Sequence, residues 1–84
     1  MIDEFKLEAF LITTAYLSEQ LLDNHRKLRP YVSPEIFTEG ETLLLCKRFI
    51  EDRLLTDVFD EETTWEMIDE LGRLSNAYNA LVLQ

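Results

Sequence analysis

Apolar residues recur along the chain at intervals of three and four, and no segment keeps the period-two alternation of a half-buried strand. The pattern predicts three helices. The first runs from about Asp3 to Leu28. Asp3 and Glu4 stand at its start and Arg26, Lys27 and Arg29 at its end, which suits the sign of each pole of the helix dipole. Pro30 stops it, because the residue before a proline avoids helical geometry. Tyr31–Phe37 reads as a connection holding a separate short turn at SPEIF, with Ser33 as cap and Pro34 at the first helical position. Thr38-Glu39-Gly40-Glu41 has the spacing of a capping box, so helix two is placed from about Glu39 to Leu55. Thr63-Thr64-Trp65-Glu66 repeats that spacing and starts helix three, about Thr64 to Val82. The expected fold class is all-α: a small three-helix bundle with a short extra turn between helices one and two, in one domain covering residues 1–84.

At about 100° per residue, Leu7, Phe10, Leu11, Leu17, Leu21, Leu22 and Leu28 form the main apolar face of helix one. Glu8, Glu19, Asp23, Arg26 and Lys27 lie opposite, yet Phe5, Ile12 and Tyr16 share that charged side. A three-helix bundle needs one buried stripe per helix. The second stripe therefore has two readings. Either helix one is central and touches both neighbours across a broad arc, or Phe5, Ile12 and Tyr16 anchor a partner, with Glu8 and Glu19 as rim. Exposure of Phe5 and Tyr16 in the isolated chain separates the two. In helix two the expected core is Leu43, Cys46, Phe49, Ile50 and Leu54, with Lys47–Glu51 and Arg48–Asp52 paired on the outer face. Leu44 and Leu55 stand among those charges as a second candidate surface. Helix three buries Ile68, Leu71, Leu74, Tyr78 and Leu81, and its Gly72 would let a neighbour approach closely.

Charge narrows the partners. Seventeen Asp and Glu against eight Lys and Arg give a net charge of −9. That field disfavours direct contact with nucleic acid or an anionic membrane surface, and favours a basic protein partner or mimicry of a nucleic acid. The single Cys46 rules out an internal disulfide framework, so a reducing cytoplasm is expected. The opening MIDEFKLEAF carries acids where a secretory signal carries bases.

Chemistry is hard to place on these residues. There is no Glu-x-x-His pair for a carboxylate-bridged metal site, and the acids in VFDEETTWEMIDELG fall at the wrong intervals for a calcium loop. The acids suit the start of helix three instead. No Gly-rich phosphate cradle occurs. Cys46 falls on the expected apolar face of helix two, and His25 near the end of helix one reads as a cap or boundary residue rather than a ligand. No enzyme, cofactor or metal is expected.

The run Asn76-Ala77-Tyr78-Asn79-Ala80-Leu81-Val82-Leu83, with Phe59-Asp60 ahead of helix three, resembles the end of the epsilon antitoxins of epsilon–zeta toxin–antitoxin systems. The resemblance rests on Asn76, Tyr78, Val82, Leu83 and the Phe59-Asp60 pair. It implies an acidic helical protein that neutralises a kinase-like toxin acting on a nucleotide-activated aminosugar, its first helix obstructing the toxin's nucleotide site. No helix-one residue is carried over from that family. Three readings follow: an antitoxin-like inhibitor binding a protein through helix one; a nucleic-acid mimic of the anti-restriction or anti-CRISPR sort; and a self-associating bundle whose homodimer seam uses Phe5, Tyr16, Leu44 and Leu55.

Overall fold

A computed structural model describes residues 3–83 and contains three helices in sequence, α1 (Glu4–Arg26), α2 (Pro34–Thr56) and α3 (Glu61–Val82). No strand occurs among the described residues. The fold is the expected small all-α three-helix bundle.

Each helix start is set by a side-chain cap. The Asp3 carboxylate accepts from the backbone N–H groups of Phe5 and Lys6. Ser33 Oγ accepts from Ile36 N, with Pro34 at the first helical position. SPEIF is therefore the first turn of α2 rather than a separate turn, and Thr38 lies inside the helix. The connection keeps a short tight passage of its own, in which Tyr31 N and Val32 N both donate to Leu28 O. The expected box at Thr63–Glu66 is also displaced. Asp60 is the cap of α3, accepting from Thr63 N at 2.7 Å, and Thr63 and Thr64 belong to the first turn. Asp caps at least as well as Thr, and starting there puts Glu61 and Glu62 at the positive pole of the helix. The two hydrogen bonds from Thr63 hold the Asp60 carboxyl below its ordinary value.

α2 is the shared helix. Both α1 and α3 pack on it, while no described Cα of α1 comes within 8 Å of one in α3. The result is a long body of 44 × 19 × 18 Å with a radius of gyration of 13.9 Å, against about 11.8 Å for a compact domain of this length.

The buried positions step by four and three along every helix, as in a coiled-coil seam. In α1 they are Leu11, Ala15, Ser18, Leu22 and His25; in α2, Gly40, Leu44, Lys47 and Glu51; in α3, Thr64, Leu71, Leu74, Tyr78 and Leu81. Several expectations change accordingly. Phe10, Leu17 and Leu21 of α1 are exposed, as are Cys46 and Phe49 of α2, Phe49 by 65%. Leu44 is nearly inaccessible and belongs to the core with Leu22 and Tyr78, so it forms no part of a second surface or homodimer seam. Lys47–Glu51 is a buried ion pair rather than an outer one. In α2 the inward stripe, which faces two neighbours at once, carries a glycine and two charges in place of the apolar residues that a hydrophobic wheel seeks, and in α1 the seam carries Ser18 and His25. Gly72, expected at a close approach, has open space around it.

Candidate functional site

Two polar clusters occupy the interior. His25, fully buried, is the bridge between α1 and α3. Its Nε2 lies 2.8 Å from the Phe37 carbonyl oxygen, which can only accept, so Nε2 carries the proton. Nδ1 then accepts from the Tyr78 hydroxyl at 2.9 Å. The Phe37 ring stacks on the imidazole with centroids 5.2 Å apart, and the Arg29 guanidinium lies over that same Phe37 ring, 4.9 Å from its centroid. Burial pushes the Tyr78 phenol above its ordinary value. The imidazole lies against Gly40, so close that a β-carbon there would stand 2.2 Å from His25 Cε1. With both nitrogens committed, His25 is a structural pin.

The second cluster joins α1 to α2. Lys47 Nζ donates to Ser18 Oγ at 2.6 Å and to Glu51 Oε2 at 2.7 Å, and Ser18 donates to the same carboxylate oxygen at 3.0 Å. A hydroxyl beside an amine can be a nucleophile and its base. Here the amine is the donor to the serine and therefore cannot take its proton, and Ser18 is buried away from any substrate. Glu51 Oε1 is buried with no hydrogen-bond partner. The cluster fixes register between the helices at some cost in stability.

The outer surface differs. Phe5, Glu8, Ile12, Tyr16 and Glu19 follow one another at spacings of three and four, a continuous row along α1. Phe5 is 89% and Tyr16 62% exposed, and Ile12 is exposed between them. α1 is not the central helix, so among the described residues no second helix covers this row. Glu19 is engaged by Arg48 at 2.7 Å, and Arg48 also holds Asp52. Although partial burial works against it, the Arg48 charge is held more firmly than usual by its hydrogen bond to Glu19 and by Asp52.

Beside the N-terminal part of this row lies a cleft of about 540 Å³ where the start of α1, the end of α2 and the start of α3 converge. Leu7, Leu11, Leu54, Leu55, Val58 and Phe59 give it an apolar lining, and Glu4, Glu8, Asp57 and Glu61 give it acids. Asp57 is bridged to Arg53 at 2.8 Å. The fold thus brings Glu8 and Leu55 to one place, leaves Tyr16 and Glu19 further along α1, and takes Leu44 inside. The residues that wheel reasoning missed here are Val58 and Phe59, which sit in the α2–α3 connection and have no helical periodicity to reveal them.

Among the described residues no group of His, Cys, Asp and Glu is arranged to hold a metal ion, and no helix is long and apolar enough to cross a membrane. No family model matches the chain, no curated protein matches it, and no solved structure matches it.

Proposed function

We propose that this chain is an acidic interaction protein that binds and neutralises a protein partner, in the manner of an antitoxin, through the outer row of α1 and the adjoining cleft. The observation that carries the reading is the exposed row Phe5–Ile12–Tyr16, bordered by carboxylates on a chain of net charge −9. Aromatic and aliphatic anchors supply contact area that is not consumed within the fold, while the acids steer a basic surface into encounter. A basic nucleotide-binding face, such as that of a kinase-like toxin, has the complementary chemistry, and the likeness of the C-terminal residues to epsilon antitoxins points the same way.

The test is a complex reconstituted from purified parts, with the partner taken from the neighbouring gene or from native copurification. Tyr16→Ala is expected to weaken binding by at least about tenfold, as for an anchor residue, and to leave thermal unfolding unchanged. Affinity should fall as salt rises. If Tyr16→Ala unfolds the chain and leaves affinity intact, the assignment is wrong. A partner displaced by DNA or RNA, with no sensitivity at Phe5 or Tyr16, would replace it with the nucleic-acid mimic.

A further inference from the structure

The cleft where the three helix ends meet has an apolar lining and a rim of one sign. Six apolar side chains line it, and the only charged groups in its wall are the carboxylates of Glu4, Glu8, Asp57 and Glu61. Leu55 remains 37% and Val58 100% exposed, so the fold leaves apolar surface there uncovered. The two nearby bases do not neutralise the rim. Arg53 is bridged to Asp57, and at about 100° per residue Lys6 falls on the far side of α1. Glu4 and Glu8 enter no ion pair among the described residues.

The charge of the chain is concentrated at this end. Residues 3–8 and 53–62, which surround the cleft, hold seven carboxylates and two bases, more than half of the net charge of −9. At the opposite end, where α1 gives way to α2, residues 26–41 balance three carboxylates with three bases. The body is 44 Å long, several times the roughly 8 Å over which physiological salt screens a charge. A cation is therefore drawn to the cleft end in particular, and the walls of a cleft focus that field.

This combination selects an occupant. A fatty acid or a nucleotide would bring its own anion against the rim. An extended peptide would find no sheet edge to pair with among the described residues. The volume of about 540 Å³ lies in the roughly 300–1,000 Å³ range of small-ligand pockets, so it admits a few side chains of one segment rather than a folded face. A helix with apolar side chains at steps of three and four, and Lys or Arg beside them, meets both the lining and the rim.

We infer that the cleft seats a basic amphipathic helix of the protein partner, its apolar side chains against Leu54, Leu55, Val58 and Phe59 and its cations against Glu4 and Glu8. The inference rests on the reading of this chain as a protein-binding inhibitor, and it names the element of the partner that is held. Glu8 belongs both to the cleft and to the Phe5–Tyr16 row, so a helix seated here carries the rest of the partner over α1.

The test uses the full chain and a defined probe, an amidated peptide of leucine and lysine, about fourteen residues long, with its leucines on one helical face. Such a helix spans roughly 21 Å, enough to cross a body 19 Å wide. By isothermal titration calorimetry it should bind at least about tenfold tighter than the same residues in scrambled order, and a leucine–glutamate peptide of the same pattern should not bind. Glu4→Gln with Glu8→Gln should weaken the peptide about fivefold, and Leu55→Ser with Val58→Ser by at least as much. Val58→Ser alone, outside the helices, keeps the apolar arm readable should the double variant lose helicity. Glu35→Gln with Glu39→Gln, at the opposite end, should leave affinity unchanged, and so should Tyr16→Ala. A peptide that binds no tighter than its scrambled form overturns the inference. So does equal weakening by the charge changes at the two ends, which would mark a general attraction to an acidic chain. The two readings fail separately. No peptide binding, beside a partner weakened by Tyr16→Ala, removes only the seated helix; a partner indifferent to Tyr16→Ala, beside a bound peptide, removes only the row.

Discussion

Replacing Gly40 with alanine should destabilise the protein, against the ordinary effect of this substitution in a helix. In an open helical position the change gains about 1 kcal/mol, because glycine is the poorer helix former. At Gly40 the new β-carbon would stand 2.2 Å from His25 Cε1, 2.6 Å from Nε2 and 3.1 Å from Nδ1, where contact distances are about 3.5–4.0 Å. The ring must back away by more than an ångström. It has nowhere to go, being fully buried and bound at 2.8 Å to the Phe37 carbonyl and at 2.9 Å to the Tyr78 hydroxyl. Losing both bonds costs about 1–3 kcal/mol for each buried group left unpaired. Set against the helix gain, the net loss is about 3 kcal/mol, or a fall in melting temperature of roughly 12–24 °C for a domain of this size. Urea unfolding followed by circular dichroism measures it. Gly72→Ala is the control, since nothing lies within 4 Å of its would-be β-carbon, and it should stabilise by about 1 kcal/mol. His25→Ala in the Gly40→Ala background should cost less than the sum of the single changes, as expected for residues that collide. Gly40→Ala as stable as wild type, or strict additivity with His25→Ala, would refute the close approach.

Other substitutions probe the remaining interior. Leu44→Ala should cost about 2–5 kcal/mol as a fully buried leucine, while Phe49→Ala should cost less than about 1 kcal/mol; equal losses in denaturant titrations would mean that the inward face of α2 is misplaced. Removing one member of the buried pair, by Lys47→Met or Glu51→Leu alone, should cost about 3–5 kcal/mol, whereas Ser18→Ala, Lys47→Met and Glu51→Leu together should be neutral or stabilising. Stability should decline at alkaline pH through Tyr78. Burial raises its phenol above the ordinary 10.0, so the folded chain holds this proton where the unfolded chain releases it, and the contribution is full below pH 10.0 and lost above it. Tyr78→Phe should flatten that decline in pH-dependent thermal melts, and an unchanged slope would place the sensitivity elsewhere.

The number, order and approximate lengths of the helices could be read from periodicity, and α3 was legible almost residue by residue. Its seam is apolar through Leu71, Leu74, Tyr78 and Leu81, so hydrophobicity and burial point the same way. α1 and α2 were rotated. Their seams include Ser18, His25, Gly40, Lys47 and Glu51, and a wheel that follows apolar residues turns away from such a stripe toward Phe10, Leu17 or Phe49. A clue existed in the spacing itself. Gly40, Leu44, Lys47 and Glu51 keep the four–three step as strictly as Leu71, Leu74, Tyr78 and Leu81 do. On the outer surface the Phe5–Ile12–Tyr16 row was legible because acids surround it, while the cleft beside it depends on Val58 and Phe59, which only the folded connection brings near Leu7 and Leu11.

Because α1 and α3 each pack their backbones on α2 and reach one another through side chains, the His25–Tyr78 bridge and Leu22 beside Tyr78, the chain is two helical hairpins sharing a middle limb. Every extensive packing surface is then formed between consecutive helices, the arrangement that lets a chain find its partners after short searches and fold in the microsecond-to-millisecond range. It also gives each outer helix its own exit. α1 can swing away while α2 and α3 stay paired, giving up the Ser18 and His25 bonds, the Glu19 and Arg26 ion pairs and the burial of Leu11, Ala15 and Leu22, so amide hydrogen exchange should be slowest in α2 and should open α1 and α3 as separate units.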